Sequence, residues 1–234
     1  MKVSIVIPAH NEEAYIAETL RAVTALDYPD FEVIVVDNAS SDKTAEIAKQ
    51  FPVKVVHEEK KGILHARERG RKEATGEIIA NIDADCRPTK DWLKNAMQHF
   101  KNKNIVAVSG PYYYFDSPAP SRILFFGTQK YVYAIGSKLL QLIGKNGILI
   151  GGNTLFRADP MQKHGGYDTS ILFYGEDTDT AKKLSKHGKI HFSPSVVMHT
   201  SARRFQSEGT GKIIGNYLYH FIKGTFSKQK EHQK

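Results

Sequence analysis

Two acid clusters carry most of the chemical promise of this chain. The first is Asp83-Ala84-Asp85, placed where an apolar run, Ile78-Ile79-Ala80-Asn81-Ile82, stops. Carboxylates repel each other, and burying one is costly. A hard divalent cation removes the conflict, because Mg2+ or Mn2+ takes oxygen ligands, often one or two carboxylates plus substrate phosphates. In an extended segment alternate side chains share a face, which turns Asp83 and Asp85 toward one ligand. The competing reading is a solvated turn, since the segment to Pro88 has turn composition. The D-x-D spacing alone is a weak signal. The second cluster is Glu176-Asp177-Thr178-Asp179. Acids suit the first turn of a helix, and a carboxylate there can also take a proton from a hydroxyl.

The elements that must position these acids alternate in type. Lys2–Pro8 and Phe31–Val36 are β-branched and read as buried strands, the second ending at Asp37. Asn11 is expected to cap a helix bearing Ile16, Leu20 and Val23. Ser40 or Ser41 is expected to cap a second helix, and Val53–Val56 is a short third strand. A helix over about Leu64–Ala74 leads to a strand at Glu77, and Thr89 caps a helix bearing Trp92 and Leu93. Ile105–Ser109 is another strand. This alternation predicts a doubly wound parallel α/β sheet, whose ligands bind at the carboxyl ends of strands. Beyond Gly110 the pattern weakens: Tyr112–Leu142 is aromatic and apolar, Phe173–Leu184 turns helical, and Phe192–His199 reads as a last strand. Past Gly211 a basic amphipathic helix is expected, with Ile213, Ile214, Tyr217, Leu218, Phe221 and Ile222 in one stripe.

The chain has 234 residues, of which 41% are apolar, enough for one α/β domain with an extension. A formal charge of +8 favours anionic partners. The segment from Arg203 onward carries about +5 of that excess. A single cysteine, Cys86, forbids an internal disulfide and fits a reducing compartment; it is expected to be inert and buried. No apolar run is long enough to span a bilayer, and the opening residues run into a strand rather than a signal peptide.

Six segments, in order, resemble family-2 glycosyltransferases with the GT-A fold: IVIPAHNEE (Ile5–Glu13), VIVVDNASSDKT (Val33–Thr44), GILHARERG (Gly62–Gly70), TGEIIANIDADC (Thr75–Cys86), GGNTLFR (Gly151–Arg157) and YGEDTDTAKKL (Tyr174–Leu184). The resemblance covers roughly Val3–Met198. It implies a Rossmann-like, mostly parallel sheet, with residues 1–110 as the nucleotide-sugar half, 111–202 as the acceptor and catalytic half, and 203–234 as a basic C-terminal helix or tail. It implies a nucleotide-diphosphate-sugar donor, UDP favoured, and Mn2+ or Mg2+. Pro8, Ala9 and Glu12 would line the nucleoside, Asp37 would bind the base, and Arg67 would lie by the base or pyrophosphate. Asp83 would face ribose or metal, Asp85 would ligate the metal, and Asp177, beside Glu176, would be the general base of an inverting displacement. One departure stands out: Asp37-Asn38-Ala39-Ser40 replaces the usual Asp-Asp-Gly-Ser, removing a charge and a glycine.

Further residues have two readings each. Gly151-Gly152-Asn153 is either a sugar-approach loop or an ordinary turn, and His199 either an added metal ligand or a structural histidine. Arg203-Arg204 would clamp the diphosphate. Tyr112-Tyr113-Tyr114-Phe115 would pack in the core or stack on a sugar. The basic tail and Ile123–Leu140 would dock on the domain or meet an anionic membrane surface, placing a cytoplasmic enzyme at the inner face of the membrane with a lipid-linked or cell-envelope glycan acceptor. Rival functions are a catalytically silent nucleotide-sugar binder and a haloacid-dehalogenase-like phosphatase. Gly209-Thr210-Gly211-Lys212 fails as a P-loop, because Gln206 and Ile213 stand at required positions. No nucleic-acid-binding module is recognisable, so nucleic acid is not an expected partner.

Overall fold

The computed structural model describes residues 1–171 and 174–226. In chain order the elements are β1 (Val3–Ala9), α1 (Ile16–Thr24), β2 (Phe31–Asp37), α2 (Thr44–Ala48), β3 (Lys54–His57), α3 (Ile63–Glu73), β4 (Ile78–Ile82), β5 (Cys86–Pro88) and α4 (Trp92–His99). There follow β6 (Ile105–Ser109), β7 (Tyr112–Tyr114), α5 (Ala119–Gly127), a π-helical stretch Thr128–Tyr133, α6 (Ala134–Leu142), β8 (Asn153–Arg157), α7 (Ala158–Lys163) and α8 (Glu176–Ser185). The remainder is β9 (Lys189–Phe192), β10 (Met198–Thr200), α9 (Arg203–Glu208) and α10 (Thr210–Phe226).

Seven strands form one sheet in the order β3-β2-β1-β4-β8-β6-β9, and β5-β10-β7 form a small second sheet. All neighbours in the large sheet are parallel except at β8, which runs antiparallel to both β4 and β6. The central strands are apolar on both faces because helices cover both. Ile5, Ile7 and Ile82 pack with Leu20, Trp92 and Leu93 on one side. Val6, Ile34 and Phe156 pack with Leu64, Ala181 and Leu184 on the other. Gly70 of α3 rests directly on Val6 and Val36, where a β-carbon would overlap Val6. That close approach draws α3, and with it Arg67, onto the strands.

Several sequence expectations need correction. Asn11 caps nothing; it adopts a positive φ of 55° and α1 starts later, at Ile16. The turn Asn11–Glu13 instead latches onto the segment before α2, with Glu12 N–H donating to Thr44 Oγ1 at 2.7 Å and Ser41 N–H to Asn11 Oδ1 at 2.8 Å. Neither Ser40 nor Ser41 caps α2, which begins at Thr44; Asp42 Oδ1 accepts from Thr44 N–H at 2.9 Å. The expected strand Phe192–His199 is two strands in different sheets, β9 and β10, separated by a turn in which Val196 N–H donates to Ser193 O. The helix expected from Phe173 begins at Glu176, and Phe173 itself lies outside the described residues.

Candidate active site

The carboxyl ends of the parallel strands converge. Ala9 at the end of β1 lies beside Asp37 at the end of β2, and Ile82 at the end of β4 is followed by Asp83. Because β8 runs the other way, its first residue Asn153 pairs with Ile82, which brings Gly151-Gly152 to the same rim. A β-carbon on Gly152 would overlap the Asp83 carboxylate and the Tyr112 hydroxyl. One on Gly151 would overlap Asp177 Oδ1 and the Arg67 guanidinium. Glycine is needed at both positions so that the backbone can approach the acids. A depression of about 370 Å3, lined by Thr24, Phe31, Glu32, Val33, Pro52 and Lys54, lies at the amino end of β2 and contains none of these groups.

Arg67 is the hub of this rim. It is 3% exposed, donates from Nη2 to Asp83 Oδ1 at 3.1 Å, and holds Nη1 3.9 Å from Asp177 Oδ1. One guanidinium therefore links the D-x-D segment to the helix-start acid, whose two clusters are 94 positions apart between Asp83 and Asp177 in the chain. Desolvation disfavours the Arg67 charge, but Asp83, Asp177 and Glu176 outweigh it and hold the group firmly protonated. Burial raises the Asp177 pKa, while Arg67 and the Gly151 N–H pull it back. Glu176 is raised more, by burial and then by Asp177. A carboxylate raised toward neutrality is suited to proton abstraction near physiological pH.

The D-x-D segment is a turn, not an extended strand end: Cys86 N–H donates to Asp83 O at 3.0 Å. Its two carboxylates therefore part company. Asp83 faces Arg67 and the Tyr112 hydroxyl, 3.4 Å from Oδ2. Asp85 faces Arg203, whose Nε lies 3.1 Å from Asp85 Oδ2 and whose Nη2 bonds Glu12 Oε1. The Arg203 guanidinium also lies over the Tyr15 ring, 4.5 Å from its centroid. Burial and then Asp83 push the Asp85 pKa up to about 7, against the pull of Arg203. Glu12 Oε2 is buried with no partner.

These residues fit a divalent cation of the hard class. The donor set is all oxygen, Asp85 is an anion starved of solvation, and Glu12 has an orphaned oxygen beside it. Among the described residues no group of three or more His, Cys, Asp and Glu side chains is assembled around one point. The balance of ligands would come from water and substrate phosphate, as is usual for Mg2+. His199 is not drawn into this arrangement. Its ring packs on Tyr113 with centroids 5.0 Å apart, its backbone pairs with Arg87, and no ion pair joins it to an acid among the described residues. Burial, with Arg87 adding repulsion, lowers its pKa.

At the other end of the rim, Asp37 is 6% exposed and lies 3.0 Å from His57 Nδ1, with Ser40 N–H 3.3 Å from Oδ1. Pro8 and Ala9 are buried in the sheet. The departure at Asn38 has a structural reason. Its amide donates to the carbonyls of Glu58 and Lys60 at 3.1 and 2.7 Å and accepts from Gly62 N–H at 2.8 Å. An aspartate could not make the two donations. Ala39 sits at φ 52°, a left-handed conformation that glycine takes more easily.

Two expected site residues are placed elsewhere. Asn153 is fully buried; its Oδ1 accepts from Trp92 Nε1 at 2.8 Å and its Nδ2 donates to Val196 O at 2.9 Å. It fastens β8 to α4 and cannot meet a sugar. Arg204 bonds Glu208 Oε1 at 2.8 Å and the Tyr174 hydroxyl at 2.9 Å, while Arg203 is the one that bonds Asp85 and Glu12. Tyr112 and Tyr15 join the site unforeseen in these roles. Tyr112 was legible only as an aromatic cluster, and Tyr15 carried no signal. Cys86 is fully buried, and burial raises its thiol pKa strongly, as expected of an inert group.

Comparison with known proteins bears on the family and the fold. AglE, a glycosyltransferase of Haloferax volcanii, is 28% identical over 211 residues, covering 87% of this chain and 68% of the relative. The probable glycosyltransferase YdaM of Bacillus subtilis is 30% identical over 212 residues, covering 84% and 50%. The dolichol-phosphate mannosyltransferase of Pyrococcus furiosus is 34% identical over 118 residues, covering 48% and 34%. Across these three the matched part thus spans between about a third and two thirds of the relative. Among solved structures, the mannosyltransferase PcManGT of Pyrobaculum calidifontis, in complex with GDP-Man and Mn2+, superposes with a TM-score of 0.76 at 24% identity, covering 97% of this chain and 65% of that one. S. aureus TarS with UDP-GlcNAc gives 0.68 at 20%, covering 87% and 59%. These likenesses show the GT-A fold expected from the sequence. Residues 4–165 match the model of glycosyl transferase family 2, and this chain belongs to that family.

Proposed function

We propose that this chain is an inverting glycosyltransferase that moves a sugar from a nucleotide-diphosphate donor, UDP favoured, to an acceptor hydroxyl. The acceptor class is a lipid-linked or cell-envelope glycan. The observation that carries the reading is the buried Arg67 bridge between Asp83 and Asp177. It holds a candidate donor-binding acid and a candidate base in one network at the carboxyl rim of the sheet. In this reading Asp37 and the buried Pro8-Ala9 edge bound the nucleoside, and the Gly151-Gly152 backbone borders the transferred sugar. Asp177 takes the proton from the acceptor hydroxyl as that oxygen attacks the anomeric carbon opposite the leaving diphosphate. Arg67 favours the ionised form of Asp177 until then. Asp85, with the free Glu12 oxygen beside it and water, would hold Mn2+ or Mg2+, which supplies positive charge against the leaving diphosphate. Arg203 would exchange its bond to Asp85 for one to that diphosphate, where a guanidinium binds well. A single buried cysteine fits a reducing, cytoplasmic setting.

A panel of nucleotide sugars with Mn2+ tests the donor assignment, because a ligand that binds only the folded state raises the melting temperature. Slow release of free sugar from the best binder without acceptor is the expected second result. Binding with no release by wild type would favour the silent relative. No shift with any nucleotide sugar would remove the proposal.

A further inference from the structure

Apart from Met1, every exposed large hydrophobic side chain among the described residues lies on the α5–α6 arm, at Ile143 just past its end, or on α10. The arm consists of α5, the π-helical stretch and α6. On α10 the usual polarity is inverted. Its inward side carries Ile213, His220 stacked on Tyr174 at 5.4 Å, and Gly224 set against Thr178 of α8. Its outward side carries Ile214, Leu218 and Ile222, four residues apart and 43%, 56% and 50% exposed. On α6, Ile135, Leu139 and Leu142 form a similar stripe, and Leu142 is 81% exposed. The two elements meet at their ends, where Lys145 Nζ lies 5.4 Å from the centroid of the Phe226 ring. No described helix is long and apolar enough to cross a membrane.

The charge on these elements is one-sided. No acid occurs between Asp116 and Asp159, and the arm and its exit hold Arg122, Lys130, Lys138 and Lys145. None occurs on α10, which holds exposed Lys212 and Lys223. Apolar residues interleaved with lysine and free of acids match an anionic lipid interface, which takes up both the side chains and the charge. A second copy of the chain would set lysine against lysine on the same face, a poorer match.

We infer that α10 and the α5–α6 arm form one docking face for an anionic membrane surface, with the chain lying on the bilayer rather than crossing it. Gly224 and His220 join this face to α8 and to Tyr174, so a docked chain presents the start of α8, with Asp177, close to the lipid. The inference stands apart from the transfer reading, because vesicle binding is measured without donor or acceptor.

The test is flotation of the full chain with vesicles of phosphatidylcholine alone, or of phosphatidylcholine and phosphatidylglycerol in equal parts, at low and high salt. The wild type floats with the anionic vesicles at low salt and much less with the neutral ones. Lys212→Gln with Lys223→Gln lowers the anionic partition coefficient by about tenfold or more, since each lysine at the surface is worth roughly fivefold. Leu218→Ser with Ile222→Ser lowers binding to anionic vesicles further. Both pairs are exposed, and unchanged melting temperatures show that the fold is kept. A wild type that stays at the bottom with anionic vesicles at low salt overturns the inference. So does equal flotation with neutral and anionic vesicles, or a dimer in light scattering that the serine pair dissociates.

Discussion

Replacing Arg67 by methionine keeps an unbranched apolar stem and removes the guanidinium that faces Asp83 and Asp177. Arg67 is 3% exposed, so the loss leaves two carboxylates, and Glu176 behind them, without their buried partner. Breaking a buried pair from one side costs about 3–5 kcal/mol. At about 2–4 °C per kcal/mol for a chain of this size, the melting temperature should fall by roughly 6–20 °C near neutral pH. The deficit must depend on pH in a defined direction. Arg67 lowers the Asp177 pKa, so its removal raises that pKa further above the unfolded value of about 3.9. A carboxylate whose folded pKa is raised keeps its stability below the unfolded pKa and loses it as pH rises through the folded one. The deficit should therefore be small near pH 4–5 and grow toward pH 8, an interval set by the raised carboxylate values. Scanning calorimetry of both proteins across that interval is the assay. A deficit that is constant with pH would refute the claim that Arg67 acts by holding Asp177 ionised.

Ala39→Gly should relieve the left-handed backbone at φ 52° and stabilise the chain by about 0.5 kcal/mol, once the greater freedom of unfolded glycine is deducted; an unchanged or lower denaturation midpoint would count against strain there. Gly152→Ala should force its β-carbon into Asp83 and Tyr112, lowering the affinity for a nucleotide sugar while the free nucleoside binds as before; equal loss for both ligands in titration would place the clash elsewhere. The rate of transfer should rise with pH through the raised Asp177 value and then level, since the ionised form is the base; the Asp177→Asn variant should lack that limb and lose about 10²–10⁴-fold in turnover, and a limb that survives would assign it to another group.

The parts legible in the sequence were those fixed by local pattern. The apolar runs that became β1, β2, β4 and β6 lie within a residue or so of the expected bounds, because a strand buried on both faces needs continuous β-branched residues. Asp37 and Asp83 stand at the carboxyl rim for the same reason. The rest depends on pairings over long distances, which periodicity does not record. Nothing near residue 153 announces that β8 will run antiparallel between β4 and β6, yet that reversal brings Gly151-Gly152 to Asp83. Arg203 bonds Glu12 across 191 positions of sequence. Asn153 looked like a loop residue because the indole it holds, Trp92, lies 61 positions away. The D-x-D segment has the composition of a turn, but it runs into the short strand Cys86-Arg87-Pro88, so the sequence leaves turn and extended forms both open. The apolar stripe of α10 was visible at helical spacing, but which way it faces is decided by Tyr174 and Thr178, on a different part of the chain.

The central claim is that Asp85 grips the donor diphosphate through a divalent ion while Asp177 serves only the proton. Isothermal titration of a nucleoside diphosphate, with Mn2+ and with chelator, into wild type, Asp85→Ala and Asp177→Asn separates the two. The account predicts metal-dependent binding by wild type and Asp177→Asn alike, and a loss of that dependence in Asp85→Ala. Equal affinity in all three proteins, with metal or without it, would contradict it.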